Sequence, residues 1–329
     1  MLRRGGPRKR GDQRGPLRIA FALVVLIPCL GLAGPGAPRS FLYQLQDAHI
    51  PAILASGFAL VVMDYSRDGS DAGRFRRGEV GRLLERGITV LAYLSVGEAE
   101  DYRFYWDRSW DVDRDGIPDP GAPHWLGHAN PDWPGNYKVR YWEPGWWAIV
   151  LAYLDRILDQ GFSGIYLDTV DSFEYWADPH NPEGAVLPVA VAARRMISLI
   201  LRIARYARER VPHFLVVPQN AEWILDFDGD GTLFAAVSGW GAEDLFYRGT
   251  EPTSRAWRAE RLPYLDRLVA AGKFVLSVDY VDDGSGYSGA NLERILDYVA
   301  EARARGYSAY AARADRALDE IVVVPGIQP

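Results

Sequence analysis

The stretch LAYLDRILDQGFSGIYLDTVD, residues 151–171, decides the fold. It opens as an amphipathic helix, meets Gly161, and continues as a short apolar run, Ile165-Tyr166-Leu167, that ends in Asp168. Glycine is favoured just past a helix because that position needs a positive φ. A run of four to eight residues rich in Val, Ile, Tyr and Phe after such a stop reads as a strand. The same order recurs along the chain. ILASG precedes FALVVMDYS (58–66), and VGRLLERG precedes ITVLAYLSVGE (88–98). YLDRLVAAG precedes KFVLSVDYVD (273–282), and ILDYVAEARARG precedes YSAYAAR (307–313).

Three further runs, FLYQLQ (41–46), FLVVPQN (214–220) and LFAAVSGWGAED (233–244), bring the candidate strands to eight. Strands alternating with helices indicate a parallel sheet. Eight such units predict a closed (β/α)8 barrel of the TIM type. An open doubly wound sheet is the alternative, but no GxGxxG follows the first strand. No linker divides the body, so residues 38–329 read as one domain. One connection is long: residues 100–143 form an insertion after strand three, dense in aromatics from Tyr102 and Trp106 to Trp133 and Trp142. Loops of this length in a compact domain are usually functional.

The N-terminus is a separate segment. MLRRGGPRKRGDQRGPLR is basic, IAFALVVLIPCLGLAG (19–34) is apolar, and PGAPRS follows. That is the order of a secretory signal, with an uncleaved membrane anchor over 1–37 as the alternative. The expected location is secreted or extracytoplasmic. The only cysteine, Cys29, lies in this leader, so thiol catalysis by the body is excluded. Residues 1–37 carry seven Lys/Arg against one Asp, which leaves −12 on the remainder of a chain whose net charge is −6. An acidic body argues against nucleic acid. It favours cations, cationic polymers or simple solubility.

Barrel enzymes hold their sites at the C-terminal ends of the strands. Those ends carry Gln44, Asp64, Glu98, Asp168, Gln219-Asn220, Trp240, Glu243 and Asp279. A rim of acids, amides and aromatics suits a sugar, and two carboxyls about 5 Å apart could hydrolyse a glycoside with retention. Asp171, just beyond strand four, reads more simply as a helix N-cap.

Two acidic loops, DVDRDGIPD (111–119) and DFDGDGTLF (226–234), share D-x-D-x-D-G. This spacing groups side-chain oxygens around a hard cation. Position twelve is Ala122 or Val237 rather than Glu, so neither is an EF-hand. The candidate calcium ligands are Asp111, Asp113, Asp115 and Asp119 in one loop and Asp226, Asp228 and Asp230 in the other. No cofactor is needed for the chemistry itself. The five histidines lack metal-site spacing, and neither a GxSxG elbow nor a P-loop occurs.

Five segments carry a resemblance: AYLSVGEAEDYRFYW (92–106), NPDWPGNYKVRYWEPGWW (130–147), GIYLDTVDSFEYW (164–176), VVPQNAEWIL (216–225) and GAEDLFY (241–247). Together they resemble glycoside hydrolase family 114, the endo-α-1,4-polygalactosaminidase type, over roughly 41–312. The resemblance implies a barrel that cleaves galactosamine-containing polysaccharide. It implies Asp168 as nucleophile and Glu243 as acid/base. It puts Asp64, Tyr93, Glu98, Gln219, Asn220 and Asp279 against the sugar; Trp142 and Trp240 complete the expected contacts. The expected partner is thus a cationic amino-sugar polymer, with a membrane reached only through an uncleaved leader. The alternatives are a non-catalytic carbohydrate-binding barrel and a barrel enzyme acting on a different glycan.

Overall fold

The structure is a computed structural model that describes residues 37–329. The leader and Cys29 lie outside the described residues. The eight expected strands are present: β1 (Phe41–Tyr43), β2 (Leu60–Met63), β3 (Thr89–Ser95), β4 (Gly164–Asp168), β5 (Leu215–Pro218), β6 (Gly239–Glu243), β7 (Phe274–Asp282) and β8 (Ser308–Arg313). Neighbours pair in parallel from β1 to β5 and from β6 to β8. A parallel bridge between Gln219 and Gly241 joins the two sets. The ring closes where β8 meets β1: Phe41 lies 5.7 Å from Tyr310, and Ser308 Oγ donates to the Pro38 carbonyl at 2.6 Å. The chain therefore folds as a (β/α)8 barrel.

Strand burial follows from this architecture. Barrel strands are covered on both faces, so they read as continuous apolar runs; all nine residues of β7 are buried. The opening stretch behaves as expected. The helix Pro144–Gln160 begins with proline, where a missing N–H costs nothing, and stops at Gly161 with φ 84°. It buries Trp146, Val150, Leu154 and Ile157 against the barrel, each contributing about 1.5–3 kcal/mol of apolar burial.

One strand is shorter than its sequence suggests. Within 233–244 only Gly239–Glu243 is extended, because Thr232–Ala236 forms a helical turn. Asp228 seeds that turn by accepting the N–H groups of Leu233 and Phe234 at 3.0 and 2.8 Å.

The insertion after β3 is ordered. Glu98–Glu100, Asn136–Val139 and Leu126–Ala129 form a three-stranded antiparallel sheet with Asn136–Val139 in the middle. Most of its aromatics build a small core of their own. Trp106, Trp110 and Trp125 of the insertion follow one another at 5.1–5.2 Å between ring centroids, and Trp146 of the helix that follows continues the row at 5.1 Å. Arg103, 4% exposed, donates to Asp64 past β2 and to Glu100, both at 2.7 Å.

Candidate active site

Asp168 is the last residue of β4, opposite Ser95 of β3. Just after it the chain turns sharply: Thr169 holds φ 59°, unusual for a β-branched residue. The turn is secured by the Thr169 hydroxyl, which donates to the Asp168 carbonyl at 2.7 Å and accepts from the Gly97 N–H at 2.8 Å. It also aims the Thr169 N–H at Asp168 Oδ1, 2.8 Å away. Tyr93 donates its hydroxyl to Oδ2 at 2.7 Å. Asn220 and Ala221 after β5 and Asp244 after β6 share positive φ values of 50–55°. Such strain concentrates at functional sites, where surrounding contacts hold it in place.

Glu243 ends β6 and faces Asp168. The two strands come close because residue 241 is glycine; a Cβ there would lie 2.0 Å from the Tyr166 hydroxyl. Glu243 accepts from Tyr280 at 2.5 Å and from Asn220 Nδ2 at 3.2 Å. Gln219 stands between the carboxylates. Its Nε2 donates to Asp168 Oδ1 at 3.1 Å and to Glu243 Oε2 at 2.5 Å. Tyr43 donates to the other end of that amide at 3.2 Å and fixes its orientation. Two bonds to one nitrogen cap the separation of those oxygens at about 5.6 Å, close to the about 5–5.5 Å of retaining carboxylate pairs.

Electrostatics distinguishes this pair from surface acids. Burial pushes the carboxyls of both Asp168 and Glu243 above their ordinary range. For Asp168 the charge of Glu243 adds to the push, while for Glu243 the Tyr280 and Asn220 hydrogen bonds oppose it. Two buried carboxyls this close are disfavoured as two anions. They titrate as a unit and keep one proton well above the pH at which a free carboxyl loses it. Burial also holds the phenols of Tyr43, Tyr93 and Tyr280 protonated, so all three act as donors. One group that carries a proton beside one that does not is the arrangement general acid–base and nucleophilic chemistry require.

Around the pair lies a cavity of about 910 Å³. An adjoining cavity of about 790 Å³ shares Asp171, Asn220, Glu243, Asp244 and Arg248 with it and runs on to Trp223, Asp226, Trp257 and Tyr264. The larger cavity is lined by ten acidic residues against five basic ones.

The expected residues divide accordingly. Asp168, Glu243, Tyr93, Gln219 and Asn220 come together. Asp64 and Glu98 line the cavity but are held by protein partners. Asp64 accepts from Arg103 and the Ser66 N–H; Glu98 accepts from Asn130, Asn136 and Lys138. Three expected sugar contacts are corrected. Asp279 is fully buried and accepts the N–H groups of Leu245, Phe246 and Tyr247 at 2.8–2.9 Å. Trp240 is fully buried and donates to the Asn220 carbonyl at 2.9 Å. Trp142 packs edge-on against Trp176 at 5.1 Å, under the Arg195 guanidinium. The insertion's aromatics that do reach the cavity are Trp133 and Tyr102, 57% and 50% exposed.

Asp171 precedes the helix Ser172–Ala177, but its side chain makes no capping bond and opens onto both cavities. Tyr280 stands beside Asp279 at the end of the seventh strand run but received no role from the sequence, and Tyr43 was not singled out; a tyrosine closing an apolar strand was the available signal.

Of the two acidic loops, only the first gathers carboxylates. Oxygens of Asp111, Asp113 and Asp115 lie within 4.8 Å of one another. Asp119 instead accepts from the Val112 N–H at 2.8 Å. In the second loop Asp226 accepts from Tyr264, Asp228 caps its helical turn and Asp230 holds Thr232, so these three do not form a cation cluster.

The sequence profile of glycoside-hydrolase family GH114 matches residues 30–328. The chain belongs to that family. Relatives of high identity are uncharacterised proteins. One from Thermotoga maritima is 51% identical over 88% of this chain and 85% of its own; one from Methanocaldococcus jannaschii is 45% identical over 85% and 77%. Solved structures share the barrel fold at low identity. The glycoside hydrolase domain of PelA from Pseudomonas aeruginosa superposes with a TM-score of 0.62 at 21% identity, covering 87% of this chain and 98% of that one. Aspergillus fumigatus Ega3, solved in complex with galactosamine, superposes with a TM-score of 0.62 at 17% identity, covering 86% and 94%.

Proposed function

We propose that this glycoside hydrolase is an exported endo-hydrolase of α-1,4-linked, galactosamine-containing polysaccharide that works with retention through Asp168 and Glu243. The observation that carries the reading is the single Gln219 amide bonded to both carboxylates; it brings one oxygen of each within about 5.6 Å, which supports retention over the about 6.5–9.5 Å spacing that admits a water. In the first step Asp168 attacks the anomeric carbon, the glycosidic C–O bond breaks, and Glu243 gives its proton to the departing oxygen. In the second, water attacks the same carbon as Glu243 takes its proton, and Asp168 leaves. Asp168 suits the attacking role because one of its donors, the Thr169 N–H, is fixed by the backbone.

Substrate class follows from charge and shape. Ten acids against five bases favour an amine-bearing sugar. The galactosamine complex of Ega3 agrees with that choice. A groove continuing on both sides of the carboxylate pair suits internal positions of a polymer.

The test is incubation of the protein with partially deacetylated α-1,4-galactosaminogalactan and mass spectrometry of the soluble products. A ladder of short galactosamine-containing oligomers is expected. Asp168→Asn should lower turnover by at least about 10³-fold while polymer binding persists. Equal behaviour of mutant and wild type removes the catalytic assignment. Acetate release without chain cleavage replaces hydrolysis by deacetylation.

A further inference from the structure

The insertion contains a second cluster of chemistry away from the carboxylate pair. We propose that the loop Asp111–Asp119 is a calcium site that stiffens the insertion wall of the cleft. The proposal does not depend on the glycosidase reading, since metal binding and hydrolysis are measured separately.

Three observations carry it. First, one oxygen from each of Asp111, Asp113 and Asp115 lies within 4.8 Å of the others. Calcium binds oxygens at about 2.3–2.6 Å, so one ion can touch oxygens up to about 5 Å apart. Second, Asp111 is 5% exposed, and its Oδ1 has neither solvent nor a hydrogen-bond donor, while Oδ2 accepts from the Tyr137 hydroxyl at 2.6 Å and the Gly116 N–H at 3.0 Å. A buried anionic oxygen without a partner is disfavoured unless a cation supplies one. Third, no ion pair among the described residues includes Asp111, Asp113 or Asp115: Arg103 pairs with Asp64 and Glu100, Lys138 with Glu98 and Arg140 with Glu183, and neither Arg108 nor Arg114 of the same segment pairs with the three carboxylates.

The ligand set decides the ion and its affinity. Carboxylates at positions one, three and five, with the Ile117 carbonyl available at seven, suit calcium's flexible oxygen shell better than magnesium's strict octahedron. Ala122 at position twelve removes the bidentate glutamate. Water completes the shell, and binding belongs to the weak class of about 10⁻⁴–10⁻³ M.

The site reaches the cleft through two short links. Tyr137, bonded to Asp111, sits between Asn136 and Lys138, both of which hold Glu98. The Gly116 carbonyl accepts from Ala129 at 2.8 Å, next to Asn130, which also holds Glu98.

Terbium luminescence tests the proposal, because Trp110 adjoins Asp111 and can sensitise a bound ion. Chelator-stripped protein should emit with Tb³⁺ under tryptophan excitation. Ca²⁺ should quench the emission with a midpoint of about 10⁻⁴–10⁻³ M, and Mg²⁺ should not. The double variant Asp113→Asn/Asp115→Asn changes only exposed side chains; it should lose the emission at least tenfold and keep a cooperative thermal transition. Asp230→Asn in the second loop should emit like wild type. Ca²⁺ should raise Tm in wild type and not in the double variant. Absent emission from wild type, emission that survives the double substitution, or emission indifferent to excess Ca²⁺ overturns the proposal.

Discussion

The hydroxyl of Tyr280 donates to Oε1 of Glu243 at 2.5 Å, while Asp279, its neighbour in β7, points the opposite way. The bond favours the carboxylate form of Glu243. Removing it must therefore raise the proton affinity of Glu243, the proposed acid/base. Tyr280→Phe should move the basic limb of the kcat/KM profile to higher pH by about one unit, since a hydrogen bond to a charged group contributes about 1.5–3 kcal/mol and one unit corresponds to about 1.4. A limb that stays in place, or moves down, removes Glu243 from the acid role.

Asp279 has a structural task, and its loss should appear in stability. Its two oxygens accept three buried backbone N–H groups of the segment after β6. Each orphaned donor costs about 1–3 kcal/mol, so Asp279→Ala should destabilise the fold by several kcal/mol. Asp279→Asn keeps one accepting oxygen and should fall between wild type and Ala. Urea unfolding checks this; a raised KM with an unmoved midpoint would return Asp279 to the sugar.

Asp171 is positioned to meet the proposed cationic substrate. Its carboxylate opens onto both cavities and caps nothing. Asp171→Asn should raise KM about tenfold on deacetylated polymer, leave kcat nearly unchanged, and show a smaller effect at high salt. Equal losses on acetylated and deacetylated polymer would show that charge recognition lies elsewhere.

The barrel was legible because helix, glycine and apolar run repeat with few exceptions, and the two carboxylates because they close such runs. What the sequence concealed was direction. Adjacent strand residues face opposite sides, and Asp279 and Tyr280 carry equally plausible chemistry; the acid turned to backbone and the phenol to the site. Trp240 is likewise an inward-packed residue at a strand end. Trp142 and Trp133 lie in one aromatic-rich segment, and only the fold of the insertion determines that Trp133 meets the cavity. The two D-x-D-x-D-G loops are alike as text. They differ because Asp228 finds N–H groups of a helical turn, whereas Asp111 is buried beside two exposed carboxylates.

Glu98 receives all its donors from the insertion, and Arg103 of the insertion binds Asp64 at the end of β2. Barrel rim and insertion thus each hold half of two buried ionic contacts. A recombination point between them would strand charge on both sides. The break of an uncompensated buried pair typically costs about 3–5 kcal/mol. Family members that exchanged this loop by shuffling would have to exchange Asp64 and Glu98 with it, so loop and rim are inherited together.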